Sequence, residues 1–479
     1  MTKTIPGTVL ERYNGPPAAR MTRMTQAAAV MRGAANMLRL LVRPGQAPAV
    51  RAQKMLVLIP SHNEEAAIGR TLQSVLDQSR APDRVVVIAN NCTDDTAKIA
   101  RGYRGVTVIE MDRNVNGKVG ALNHGWAQYQ AGYDFIAGVD ADTVLEAGCL
   151  QQLETELAAT PRPGGVMARY TFRQDEGTSL FSRMLVRLQR LEFASWTGDA
   201  LRKRRRTYVL GGQATLFSAH AMRTVAARNQ MNGPWDHSAQ VEDMALTGDF
   251  RSLNLSTTVS ADARAYAGPM LTARALWHQR RKWDEGMIRL ITRSRLNTWT
   301  VTLWRQQLGL LMNGLTRIGF IFLLATSLTA HRYVWNWIWI IPPGVAVLLN
   351  LKLAMKVPHR TAGDLLAALL LVPVEIYLIV RVCCATASWI TVLSGIRRDG
   401  WEAQRTAEAG RSQGSSKMVL TVVIVLLAIV GTGFGWIHTP GFIQNRVLLV
   451  GWSMLAMLTA VQVLGMLVRI LRPAHGLRP

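Results

Sequence analysis

A chain of 479 residues exceeds the usual size of one hydrophobic core, so two or more structural units are expected. Its 55 Lys plus Arg outnumber 31 Asp plus Glu, giving a formal net charge of +24, yet 49% of residues are hydrophobic and only 18% charged. No nucleic-acid reader motif accompanies the basicity, so most of the surplus charge is expected to face anionic lipid headgroups or solvent; nucleic acid is the weaker reading and is not expected as a partner.

The first 50 residues read as a membrane-surface segment. Their stretch MTQAAAVMRGAANMLRLLV (24–42) is apolar but interrupted by Arg32 and Arg39, and the N-terminus lacks the pattern of a signal peptide. Four cysteines, Cys92, Cys149, Cys383 and Cys384, show neither CxxC pairing nor His partners at zinc spacing, so reduced thiols are expected.

From residue 51 to about 295 the pattern changes to short β-rich runs alternating with helical stretches. MLVLIP is followed by a helix through EEAAIGRTLQSVLDQ, then RVVVIAN, a helix from TDDTAKIARGY, VTVIEM, a helix from GKVGALNHGWAQYQA, and DFIAGVD. Such alternation predicts an α/β domain whose mostly parallel sheet is doubly wound, with helices on both faces. Ligands then collect at the carboxyl ends of the strands, where SHNEE (61–65), NNCTDD (90–95), DRNVNGK (112–118) and DAD (140–142) fall on one edge. Asp140 and Asp142 are two carboxylates on one turn, costly through mutual repulsion unless a cation intervenes, and their hard oxygens suit Mg²⁺ or Mn²⁺. A solvated acidic turn is the competing reading. Gly117 and Lys118 begin a helix where N–H groups and an ammonium would meet an anion, against the plainer reading of an exposed lysine at a helix start. No GxxxxGK[ST] loop or GxGxxG fingerprint is present, which excludes a P-loop or dinucleotide site.

After residue 295 the chain turns apolar. Segments 308–330, 334–351, 418–437 and 446–468 each approach the roughly 20 residues needed to cross a bilayer. A fifth segment, 364–393, carries Pro373, Glu375 and Arg381. Lys352, Lys356 and Arg360 precede it, and Arg397, Arg398, Arg405, Arg411 and Lys417 follow it. Both flanks therefore read as cytoplasmic, which favours a re-entrant or interfacial segment over a single crossing.

Five elements in order, PSHNEE (60–65), NNCTDDT (90–96), DAD (140–142), VED (241–243) and QRRKW (279–283), resemble the family 2 glycosyltransferases with a GT-A fold. Within that family the chain is most similar to membrane-embedded synthases of the cellulose, hyaluronan and poly-N-acetylglucosamine type, with the resemblance covering about residues 55–290. It implies that Pro60, Asn63 and Glu64 line the base and ribose of a nucleotide, that Asn91 and Asp94 lie in the turn holding the base, and that Lys118 sits by the nucleotide. Many relatives have Asp where this chain has Asn90 or Asn91. Asp140 and Asp142 would bind the sugar nucleotide, Asp142 as the metal ligand. Gly212 and Gln213, in VLGGQATLF (209–217), would border the acceptor, as would Glu242 and Trp283. Gln279, Arg280 and Lys282 would meet the diphosphate or gate the site, with Lys282 standing where relatives carry arginine and offering charge without a planar fork. Asp243 would be the general base, and Glu242, about 100° away around a helix, a supporting residue.

The function so implied is inverting, metal-dependent transfer of a sugar from a UDP-sugar to an acceptor hydroxyl. It would take place at the cytoplasmic face of an inner or plasma membrane that the chain crosses several times. Processive polysaccharide synthesis and single transfer to a lipid or protein both remain open, as does a non-catalytic sugar-nucleotide-binding protein.

Overall fold

The computed structural model describes residues 53–173, 179–333, 335–396, 403, 406 and 435–472. The membrane-surface segment 1–50 and all but the last three residues of the expected span 418–437 lie outside the described residues.

Strands β1 (Met55–Ser61), β2 (Arg84–Asn90), β3 (Val106–Met111) and β4 (Phe135–Val139) alternate with helices α1 (Ile68–Leu76), α2 (Thr96–Arg101) and α3 (Gly117–Tyr129). They are followed by β5 (Val144–Leu145), α4 (Cys149–Ala158), β6 (Pro163–Phe172), α5 (Leu180–Arg202), β7 (Ala214–Ser218), α6 (Ala219–Asn229), α7 (Glu242–Ser252) and β8 (Ser256–Ala267). All eight strands form one sheet, in the order β3-β2-β1-β4-β7-β6-β8-β5.

The apolar run of β1 is buried on both faces because its alternate residues feed two cores. Met55, Val57 and Ile59 pack with Ile68 and Leu72 on one side, whereas Leu56 and Leu58 pack with Val119, Leu122 and Trp126 on the other. Strands β1 to β4 pair in parallel, as their spacing predicts. Beyond β4 the sheet is mixed rather than mostly parallel: β7 runs antiparallel to both β4 and β6, and β5 antiparallel to β8. That reversal positions the site. Ala214, the first residue of β7, pairs with Val139, the last of β4, so the glycines before β7 arrive beside Asp140.

Helix α8 (Ala273–Arg293) connects this domain to α9 (Thr298–Thr329), α10 (Ile341–Ala354), α11 (Ala362–Leu369), α12 (Leu371–Leu393) and α13 (Gly441–Leu471). Among the described residues four helical segments are long and apolar enough to cross a membrane: Thr298–Thr329, Trp337–Ala354, Leu371–Leu393 and Gly441–Leu471. Segment 364–393 is thus divided at Leu370, and its longer part is one continuous helix in spite of Pro373. Proline near a helix start removes an N–H that has no intrahelical partner there.

The sheet domain and these helices share buried charge. Glu192 on α5 accepts hydrogen bonds from Arg280 Nη2 on α8 at 2.8 Å and Tyr377 Oη on α12 at 2.5 Å, and its other oxygen lies 3.0 Å from Arg381 Nε, also on α12. Arg381 reaches back to Asp284 on α8 at 3.2 Å. Burial pushes the Glu192 carboxyl upward, but Arg280 and Arg381 together outweigh it and hold the group below its ordinary value.

Candidate active site

Lys118 is the centre of the cleft at the strand ends. It enters in the first turn of α3, whose start requires Gly117 at φ 54. Its Nζ lies 2.5 Å from Asp140 Oδ1, at the end of β4, and 3.4 Å from Glu242 Oε1, at the start of α7. Pro60, Gly212, Trp235 and Asp243 line the same cleft. Gly212 is required by contact: a Cβ there would stand 2.7 Å from Lys118 Nζ and 3.0 Å from Asp140 Oδ1.

Asp142 faces a different neighbour. Its Oδ2 accepts the Gly268 N–H at 3.2 Å, just beyond β8, and a side chain at Gly268 would collide with that oxygen at 2.8 Å. Burial, followed by repulsion from Asp140, raises the Asp142 carboxyl to about 6. Asp243 is raised to about 7, by burial and then by Glu242 beside it, with Lys118 opposing. Both acids of VED stand in the first turn of α7, where helix polarity favours negative charge.

Asp140 and Asp142 provide hard oxygen donors of the kind Mg²⁺ and Mn²⁺ prefer. Among the described residues no three His, Cys, Asp or Glu side chains converge as a complete metal set. An ion held by this pair would take its remaining ligands from water and phosphate, as Mg²⁺ commonly does.

The loops after β1 and β2 are tied together before any ligand arrives. Asn63 Oδ1 accepts Thr93 N–H at 2.8 Å, while Asp94 Oδ2 accepts Glu65 N–H at 3.0 Å and Oδ1 accepts Thr96 N–H at 3.0 Å. Glu64 N–H donates to Thr96 Oγ1 at 2.7 Å. Asn63 and Asn91 both take left-handed φ, 55 and 52, a conformation asparagine tolerates better than most residues. Asn91 joins the third loop, donating from Nδ2 to Asn114 O at 2.9 Å and accepting Asn114 N–H at 2.9 Å.

Gln213, Gln279, Arg280, Lys282 and Trp283 are not among the described residues lining this cleft. Gln213 follows Gly212, and its buried Oε1 has no hydrogen-bond partner among the described residues. Arg280 is fully buried, held by Glu192 and Gln279, with its guanidinium 4.6 Å over the Trp283 ring. Trp283 itself packs against Phe193 and Trp196, with ring centroids 6.2 Å away in each case. Gln279 and Lys282 are buried on the same helix. The QRRKW segment thus contributes more to joining α5, α8 and α12 than its motif alone conveys.

Two contributors escape sequence reasoning. Trp235 is fixed by a reciprocal pair, Asn123 Nδ2 to Trp235 O at 2.8 Å and Trp235 N–H to Asn123 Oδ1 at 3.1 Å, across 112 residues of chain. The Gly268 amide lies 126 residues from Asp142. The sole trace of the first is an aromatic residue shortly before VED; the second leaves none.

Residues 56–223, which hold β1 to β7 and the Lys118–Asp140 pair, match the family model described as Glycosyl transferase family 2. The chain carries a family 2 glycosyltransferase domain. The poly-beta-1,6-N-acetyl-D-glucosamine synthase of Staphylococcus epidermidis is 26% identical to it over 234 residues, 48% of this chain and 53% of the relative. The synthase of the same name from Staphylococcus aureus is 25% identical over 249 residues, 50% of this chain and 56% of the relative. The chain thus spans about half the length of these curated relatives. Among solved structures, a mannosyltransferase from Pyrobaculum calidifontis in complex with GDP-Man and Mn²⁺ is 16% identical with a TM-score of 0.43, covering 72% of this chain and 94% of its own. The glycosyltransferase domain agrees with the expected α/β class, its second half being mixed rather than parallel.

Proposed function

We propose that the protein transfers a sugar from a UDP-sugar to an acceptor hydroxyl at a membrane face, with inversion at the anomeric carbon. The observation that carries this reading is the placing of Lys118, Asp140, Glu242 and Asp243 around one cleft at the strand ends.

In this reading Asp243 takes the proton of the acceptor hydroxyl as its oxygen bonds to the anomeric carbon, and the bond to the UDP oxygen breaks on the opposite face. The raised position of Asp243 suits it to hold that proton near neutral pH. Lys118 would leave part of its pairing with Asp140 and Glu242 to meet the diphosphate charge. Asp140 and Asp142 would hold Mg²⁺ or Mn²⁺, which supplies further neutralisation of the leaving diphosphate. Pro60 and the tied loops of Asn63, Glu64, Asn91 and Asp94 would form the nucleotide side, with Gln213 and Trp283 toward the acceptor.

The apolar helices after α8 support a membrane setting, and the basic residues Lys352, Lys356, Arg360, Arg397 and Arg398 beside them in sequence support a cytoplasmic side for the catalytic domain. The names of the Staphylococcus relatives make N-acetylglucosamine the first sugar to test and polymer the first product. The experiment is UDP release by the purified chain with Mg²⁺ or Mn²⁺ and a panel of UDP-sugars, followed by sizing of labelled product. Absence of UDP release with every donor and acceptor would overturn the proposal; short products would replace polymer synthesis by single transfer.

A further inference from the structure

A recess apart from the cleft opens between β6, α5 and the turn after α10, and the two share no lining residue. Arg169, Thr171, Thr197 and Lys356 line it, and among the described residues no carboxylate does. Arg169 is only 8% exposed; its Nη1 donates to Ala261 O at 2.9 Å, but its buried Nε has no partner among the described residues. Thr171 lies two residues along the strand, hence on the same face, and its buried Oγ1 is also without a partner among the described residues. Leaving such groups unmatched is costly, and more so when they are charged. Burial, then Arg264, pushes Arg169 below its ordinary value; burial, then Lys352, Arg202 and Arg169, does the same to Lys356.

The walls are held in place. Arg190 donates from Nη1 to Phe172 O at 2.9 Å and from Nη2 to Pro358 O at 2.8 Å, joining the end of β6 to the turn beyond Lys356. Gly198 supplies the opposite wall without a side chain. The geometry points to a binding site for a phosphoryl group in this recess, with Arg169 Nε, Thr171 Oγ1 and Lys356 Nζ as its donors. A guanidinium, an ammonium and a hydroxyl, with no carboxylate among the described lining residues, match the charge and hydrogen-bonding capacity of phosphate oxygens. Lys352 lies in the last turn of α10 and Lys356 just beyond it, at the end of a segment long enough to cross a bilayer, which sets the recess at headgroup level. The phosphoryl group thus has two sources, an anionic phospholipid or free phosphate.

The full chain is purified in neutral detergent and titrated with inorganic phosphate. In parallel it is placed in phosphatidylcholine nanodiscs with increasing phosphatidylglycerol, and thermal unfolding is followed in both. A saturable rise in midpoint is expected, with apparent affinity weakened about tenfold by Lys356→Gln and by Arg169→Gln. Lys98→Gln, at a lysine 79% exposed outside the recess, leaves it unchanged. A response to phosphate assigns the free anion, and a response to phosphatidylglycerol alone assigns the headgroup. Lys356, in a turn, supplies the test if Arg169→Gln does not fold. No saturable response, one insensitive to Lys356→Gln, or equal weakening by Lys98→Gln overturns the site.

Discussion

Gly212 lies so close to Lys118 that a Cβ built on it would stand 2.7 Å from the ammonium nitrogen. The Lys118–Asp140 pair is therefore fixed from above by the backbone entering β7 as well as from the side by α3. Gly212→Ala forces that pair to move. UDP release should fall by about a hundredfold with the thermal midpoint nearly unchanged, as displacements of an ångström at a reacting centre allow. Undiminished kcat/KM would separate this pair from the chemistry.

The two acids of VED predict a pH signature. A base must be unprotonated to act, so a carboxyl raised to about 7 makes kcat/KM fall as pH drops through neutrality. Glu242→Gln removes the like charge that helps to raise Asp243, and the acid limb should move to lower pH. Asp243→Asn should cost about 10²- to 10⁴-fold in kcat with donor binding retained. An acid limb that stays in place in Glu242→Gln would detach it from Asp243.

Asp142 should govern the metal requirement. Chelation is expected to stop turnover and Mg²⁺ or Mn²⁺ to restore it. Asp142→Asn should raise the metal concentration for half-maximal rate by about tenfold or more. Full activity in chelator would remove the ion from the mechanism.

Arg381→Met leaves Glu192 and Asp284 without a cation that each now touches. Breaking a buried pair on one side destabilises by about 3–5 kcal/mol. Denaturant unfolding of the detergent-solubilised protein should show that loss. Arg280→Lys, which loses the fork gripping Glu192, should likewise lower stability more than it changes the KM for donor. A donor KM defect at unchanged stability would return Arg280 to the diphosphate.

The strands β1 to β4 and the polar loops after them were readable because period, turn residues and chemistry coincide in short stretches of chain. Helix starts were less so: the helix expected from Glu64 begins at Ile68, since Glu64 to Ala67 form a turn held by Ala67 N–H to Glu64 O at 3.0 Å. The helix expected from Thr93 begins at Thr96 because Asp94 and Asn63 hold that turn by their side chains. The reversal of β7 and the burial of Arg280 depend on partners far along the chain, which no local pattern encodes. Arginine in a motif reads as a phosphate ligand until Glu192, 88 residues earlier, claims it.

Glu192 is one carboxylate answering to two helices, and it converts a covalent connection into a mechanical one. Rotating the sheet against α12 would take Glu192 from Arg381 and leave that arginine to Asp284 alone. The cleft is consequently geared to the apolar helices, and under the proposed polymer synthesis any stepwise advance falls to the saccharide sliding past a stationary tool.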